Sequence, residues 1–197
     1  TKEEVDSLML TYSLDPSVAR DLLSPSPKQD TRVGAGFVYL VIHIPIFSSS
    51  KYDVVAQEID CIVTEDSLIT VRYDSIDPLH YFAKQMEVEE VLSNKELPHP
   101  LFGMAKEIYK FLFDELAYLD GSLSEIEQKI FQGLEKQMVF AISATSRNLL
   151  SFRHLLGPQT SVWQSLHQIA QEKFGQTFAS DVGAILGELN RLTTTIS

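Results

Sequence analysis

The feature that most constrains the fold is a long series of apolar residues, three and four positions apart, in the second half of the chain. From Leu97 onward no segment has a strand pattern, and apolar side chains recur at Ala105, Ile108, Leu112, Leu116, Leu119, Leu123, Ile126 and Ile130. A spacing that averages about 3.5 residues places them on one narrow face of a helix. The pattern therefore predicts a long helix that packs lengthwise against partner helices.

The same spacing occurs in two later segments. It resumes after Gly133 at Met138, Ile142, Thr145, Leu149, Phe152 and Leu156, and it returns at Phe178, Val182, Ile185, Leu189, Leu192 and Ile196. The first two segments most simply form an antiparallel helical hairpin. The third has no obvious partner of equal length, so its apolar stripe indicates either self-association or docking on the hairpin. Spacing alone leaves both open.

Short helices are predicted in the first half of the chain. Helical spacing of apolar residues predicts one over Lys2–Tyr12. Asp15-Pro16 and Asp77-Pro78 each combine a capping residue with proline at the first helical position, which predicts helices over 16–23 and 78–92.

Strands are predicted between these helices. The unbroken apolar run 37–47 is typical of a strand buried on both faces, and 54–63 and 67–73 predict two more strands joined by a short hairpin. Residues 24–36, which contain two prolines and two glycines, are expected to form a loop. Helices beside a small sheet indicate an α+β lobe.

Composition excludes several classes of protein. The chain has 197 residues and a net charge of −11, so it would be repelled by nucleic acid and by anionic lipid. Its one cysteine, Cys61, cannot form an internal disulfide, which favours a reducing, cytosolic environment. The longest apolar run is well short of the roughly 18 residues that a membrane span requires. The chain begins at Thr1 and ends within a helical pattern at Ser197, so we expect it to be part of a longer protein.

Motifs for catalysis are missing from the sequence. It has no glycine-rich phosphate loop, no Gly-x-Ser-x-Gly, no His-Glu-x-x-His and no paired cysteines, and its five histidines are scattered. His43 lies in the most apolar segment and is expected to be a core residue bonded to backbone. Acidic residues along the predicted hairpin are most simply a solvated face, and no ligand cluster with an open position can be drawn. We therefore expect a protein that is not an enzyme.

Several segments, in order, resemble the cytoplasmic domain of the CorA family of divalent-cation transporters. They are 12–23, 37–45, 149–158, 178–182 and, most specifically, the hairpin 58–73, whose Glu-Ile-Asp-Cys-Ile-Val and Leu-Ile-Thr-Val resemble the family's pattern. The resemblance implies an αβα lobe with a small mixed sheet over 1–96, without the beginning of the family's lobe. It also implies a long antiparallel helical hairpin over 97–176 and, over 177–197, the start of a stalk helix that leads to a missing membrane segment.

The family also implies a function and a location. The full protein would be a homopentamer in the cell (inner) membrane, with this domain on the cytoplasmic side, sensing divalent cations between subunits and gating the pore. Mg²⁺ is the expected ion, with Co²⁺, Ni²⁺ and Zn²⁺ as alternatives. Two other functions stay open: a zinc transporter domain of the related ZntB branch, and a soluble coiled-coil scaffold without a transport role.

Two metal-ligating residues follow from the resemblance alone. Asp21 and Asp181 match the two carboxylates that hold a regulatory ion between neighbouring subunits in the family. Arg20 stands where the family often has an acidic residue, and Lys106 falls near another acidic position. The residues themselves give Asp21 and Asp181 no distinguishing local pattern.

Overall fold

A computed structural model describes residues 1–48, 53–92 and 98–196. Within these residues the chain folds as α1 Lys2–Tyr12, α2 Pro16–Asp21, β1 Asp30–Val33, β2 Val38–Phe47, β3 Val54–Val63, β4 Leu68–Arg72, α3 Asp77–Leu92, α4 Pro100–Phe131, α5 Glu135–Leu156, α6 Gln159–Phe174 and α7 Gln176–Thr195. The α+β class is confirmed. The boundary expected at 96/97 lies outside the described residues.

Local chemistry explains where the first two helices begin. Thr1 caps α1, since its hydroxyl accepts a hydrogen bond from the backbone N–H of Glu4 at 3.3 Å. Pro16 opens α2 directly after Asp15. This helix ends at Asp21, two residues before the predicted end, so Asp21 lies at the carboxyl end of a short helix beside the sheet.

The four strands form one sheet in the order β1-β2-β3-β4, and each pair is antiparallel. The expectation of a mixed sheet was wrong, because all three described pairs of strands are antiparallel. Each strand pairs with the next one in sequence, which gives antiparallel pairs, whereas a parallel pair requires a long crossover.

Strand β1 lies within the segment that was predicted to be a loop. It contains only Asp30, Thr31, Arg32 and Val33, too few and too polar to give a strand pattern, and it gains its hydrogen bonds from β2. The connection is a tight turn in which the Gly34 N–H donates to the Phe37 carbonyl at 2.9 Å.

The sheet separates two helical layers, which confirms the αβα arrangement. One face packs on α1 and α2 through Phe37, Tyr39, Val41 and Ile62. The other face packs on the layer of α3 to α7 through Val38, Leu40, Ile42, Ile44, Ile59, Cys61 and Val63. Strand β2 contributes to both cores, as the unbroken apolar run predicted.

The long hairpin is confirmed as α4 and α5, which turn at Gly133 with a φ of 83°. Helix α4 has 32 residues and is therefore about 48 Å long. The stretch predicted as this hairpin also contains a further helix, α6, whose buried residues include Val162, Trp163, Leu166 and Ala170.

Helix α6 is the partner that the stripe of α7 seemed to lack. Gly175, with a φ of 91°, lets the chain reverse between the two helices, and α7 packs along both α6 and α4. Its stripe residues Phe178, Val182, Ile185, Leu189 and Leu192 are buried inside the same chain. Of the two alternatives, the structure shows docking, and the argument for self-association from this stripe was wrong.

Candidate divalent-cation site

Asp21 is held by a neighbouring arginine. Its carboxylate accepts a hydrogen bond from Nη2 of Arg32 on β1. The Nε of Arg32 donates to Asp30 Oδ2 at 3.1 Å, and the guanidinium lies 4.9 Å from the centre of the Tyr39 ring. Burial by itself would lower the pKa of Arg32, but the bond and charge of Asp21, with the charge of Asp30, raise it above its usual value. The guanidinium of Arg32 therefore stays protonated beside Asp21.

A buried carboxylate, Asp60 on β3, lies close to this ion pair. Its two oxygens are 2.9 Å from the hydroxyl of Tyr39 and 3.2 Å from the hydroxyl of Tyr73. The Tyr73 hydroxyl is also 3.0 Å from the backbone carbonyl oxygen of Asp21, so it links the end of α2 to Asp60. Burial raises the pKa of Asp60 to about 7, since the nearby charge of Glu58 adds to the effect and the tyrosine bonds only partly offset it.

A second carboxylate of β3, Glu58, secures the segment that follows α2. Both of its oxygens accept from the backbone N–H of Ser26, at 2.9 and 2.8 Å, and one lies 3.2 Å from His43 Nε2. His43, which was expected to be a core residue bonded to backbone, is part-buried, and its ring is bonded to this carboxylate instead.

Our sequence reasoning missed these two carboxylates as a group. The available signal was an acidic residue at two alternate positions of a largely apolar strand, since alternate residues share one face of a sheet.

Asp181 lies in a different environment, a groove of about 550 Å³ between α4 and α7. The lining residues are Pro98, Phe102, Lys106, Tyr109, Lys110, Phe113, Asp114, Asp181, Ala184, Ile185, Glu188 and Arg191. Among the described residues, the carboxylate of Asp181 takes part in no hydrogen bond or ion pair. Lys106 lines the same groove.

One chain does not bring Asp21 and Asp181 together. Asp21 belongs to the α1 and α2 layer, and Asp181 belongs to the helical layer on the opposite face of the sheet. No group of three or more His, Cys, Asp or Glu side chains that could hold a metal occurs within the described ranges. A site built from these two carboxylates therefore requires a second copy of the chain.

The comparison with known families covers the whole chain. Residues 1–197 match the family described as "CorA-like Mg2+ transporter protein". The chain belongs to this family. Its CorA-like fold and the resemblance found in the sequence are thus confirmed, and the family is one of ion transporters, not enzymes.

Three relatives illustrate the range of the likeness. The curated cobalt/magnesium transport protein CorA of Thermotoga maritima is 18% identical over 160 residues, 80% of this chain and 45% of the relative. The complete CorA of Methanocaldococcus jannaschii has a TM-score of 0.79 at 14% identity, covering 100% of this chain and 62% of that one. The ZntB cytoplasmic domain of Vibrio parahaemolyticus has a TM-score of 0.66 at 11% identity, covering 98% and 79%.

These relatives show the fold, and they also show that the chain spans about half the length of the curated CorA-like transporter. In the part of the chain that the structure describes, no helix has the length and apolarity needed to cross a bilayer.

Proposed function

We propose that this chain is the cytoplasmic regulatory domain of a CorA-like transporter and that it senses Mg²⁺ between neighbouring copies of a homopentamer in the cell membrane. The observation that carries the proposal is the placement of Asp21 and Asp181 on opposite layers of the domain. In a ring, opposite layers of adjacent copies can face each other, so the two carboxylates can meet only between chains. The match of all 197 residues to the family supports the same assignment.

Charge gives a physical reason for a regulatory cation. Each chain carries −11, so five copies would carry five times that, −55, around one axis. Such self-repulsion opposes assembly and is relieved by bound cations.

The donor chemistry of the two residues fits a hard cation. Both are carboxylates, and Mg²⁺ commonly uses one or two carboxylates while keeping several waters. Zinc sites are usually built with nitrogen or sulfur ligands, whereas Asp21 is bonded to Arg32 and the described residues that line the groove of Asp181 include no histidine or cysteine. The pair therefore favours Mg²⁺, with Co²⁺ and Ni²⁺ as weaker alternatives.

Asp21 of one copy and Asp181 of the next would couple the ion to the pore. An ion bound by the two carboxylates favours the closed ring only if the closed ring binds the ion better than the open ring does. When cytosolic Mg²⁺ falls, the two carboxylates repel each other and the ring loosens. The transported ions cross through the membrane part without any chemical step.

The test is the Mg²⁺ dependence of thermal stability for the complete protein and three variants. Asp21→Asn and Asp181→Asn should each lose most of the Mg²⁺-dependent rise in melting temperature. Asp120→Asn is the matched control, since it removes the same charge from an exposed position on α4 and should leave the rise intact. Equal rises in all four proteins would remove both residues from the site.

A zinc transporter domain is the second candidate, because the fold also matches the ZntB domain. Titration of Mg²⁺, Co²⁺, Ni²⁺ and Zn²⁺ against the complete protein separates the two. A scaffold without a transport role has less support, since the whole chain matches a transporter family.

A further inference from the structure

The carboxylate of Asp21 is already paired with the positively charged side chain of Arg32. Arg32 donates to Asp21, and both side chains are partly exposed, at 32% for Arg32 and 36% for Asp21. Divalent cations approaching Asp21 therefore meet a carboxylate whose charge is balanced within the same chain.

The position of Arg32 is fixed from three sides. Its backbone pairs with Tyr39 in the sheet, its guanidinium lies over the Tyr39 ring, and its Nε donates to Asp30. A planar guanidinium can hold two carboxylates at once through its forked donors, which a lysine ammonium cannot do with the same geometry. Arg32 thus reaches Asp21 from an ordered strand.

The neighbouring Arg20 provides a contrast. It directly precedes Asp21, it is exposed, and it forms no ion pair or hydrogen bond among the described residues. Arg20 therefore has the same charge as Arg32 and is adjacent to Asp21 in sequence, but only Arg32 is bonded to the carboxylate.

We propose that Arg32 is an internal competitor for the divalent cation at Asp21, so that its guanidinium must leave the carboxylate before an ion can bind between copies. This proposal rests on the proposed function and adds its regulation. In the ion-free state Arg32 holds Asp21 on its own chain, and in the ion-bound state Asp21 is free to face the next copy. The competition raises the Mg²⁺ concentration at which the closed ring is favoured.

The proposal is tested by titrating MgCl₂ against the complete protein at constant ionic strength. The readout is the Mg²⁺ concentration that gives half of the maximal protection from limited proteolysis, with the melting temperature as a second readout. Arg32→Gln removes the competitor and should lower this midpoint by about two- to fivefold, as expected for loss of a partly exposed ion pair. Arg32→Lys keeps the charge without the fork and should give a smaller decrease, which also provides a test if the glutamine variant folds poorly.

Two controls separate competition from a general change in charge. Arg20→Gln removes an equal charge beside Asp21 without freeing the carboxylate, so its midpoint should shift clearly less than that of Arg32→Gln. In an Asp21→Asn background, adding Arg32→Gln should give no further decrease.

The outcomes distinguish this proposal from the proposed function. If Arg32→Gln titrates like wild type or like Arg20→Gln while Asp21→Asn weakens the response, Arg32 is not a competitor and the ion site stands. If Asp21→Asn titrates like wild type, the ion site itself is wrong. A decrease with Arg32→Gln that persists without the Asp21 carboxylate also overturns the competition.

Discussion

Replacement of Asp60 by asparagine should stabilise this domain at neutral and alkaline pH. Asp60 is completely buried on β3, and its pKa is raised to about 7 because burial penalises the charged form. The folded chain therefore holds a proton on Asp60 over a range of pH in which the unfolded chain has released it. In this range stability falls as pH rises.

The size of the effect follows from the difference between the folded and unfolded pKa of this carboxyl group. The unfolded value is 3.8 and the folded value is about 7. At about 1.4 kcal/mol per pH unit, the difference corresponds to about 4 kcal/mol lost between about pH 4 and pH 7. Asparagine resembles the protonated carboxyl group, since its oxygen can accept from one of the two tyrosine hydroxyls and its NH2 group can donate to the other. Asp60→Asn should therefore regain about 2 to 4 kcal/mol at pH 8. Below about pH 4 the two proteins should be equally stable.

Urea unfolding of both proteins across this pH range measures the difference directly. The lowered pKa of His99 also makes stability depend on pH, but it contributes equally to both proteins and cancels. Asp66→Asn is the control, since it removes the same charge from an exposed turn and should give no gain at pH 8. If Asp60→Asn has no gain at pH 8, or if its advantage grows toward acid pH, Asp60 is not a buried carboxyl that loses stability on ionisation.

Two further substitutions test the packing that positions the site. Gly34→Ala should destabilise the domain by about 1 to 3 kcal/mol, because the added Cβ would lie 2.2 Å from the buried Phe37 ring. The control is Gly36→Ala, where an added Cβ meets open space. Equal melting temperatures of the two variants would contradict the close approach at Gly34. Leu189→Ala should lower the free energy of unfolding by about 2 to 5 kcal/mol, since this side chain of α7 is completely buried. Leu150→Ala on α5, where the side chain is 53% exposed, should lower it by well under 1 kcal/mol. Similar losses for the two variants in urea unfolding would mean that the stripe of α7 is not packed within the chain.

The sequence predicted those parts of the fold that depend on a repeated local pattern. The apolar stripe of α4 could be recognised because eight apolar residues repeat at one spacing. The burial of β2 on both faces could be predicted from an unbroken apolar run. The starts of α2 and α3 could be predicted from Asp-Pro pairs, because proline favours the first turn of a helix through its own fixed backbone angle. The family could also be identified, since its most specific hairpin is continuous in sequence.

The missed elements are those whose stability depends on other elements of the fold more than on their own sequence pattern. Strand β1 has four residues and exists because β2 supplies its hydrogen bonds. Helix α6 was not separated from the hairpin, and without it α7 seemed to lack a partner.

The chemistry around Asp21 divides in the same way. Local patterns predicted the helix that contains Asp21 and the helix that carries Asp181, and the composition gave a net charge that favours cations. The packing of distant segments brings Arg32 to Asp21, buries Asp60 beside Tyr39 and Tyr73, and places Asp181 in the opposite layer, and none of this could be predicted from local patterns. Helix and strand patterns arise from residues a few positions apart, so they can be recognised in the sequence. Ion pairs and burial depend on which distant segments the packed core brings together, so they cannot.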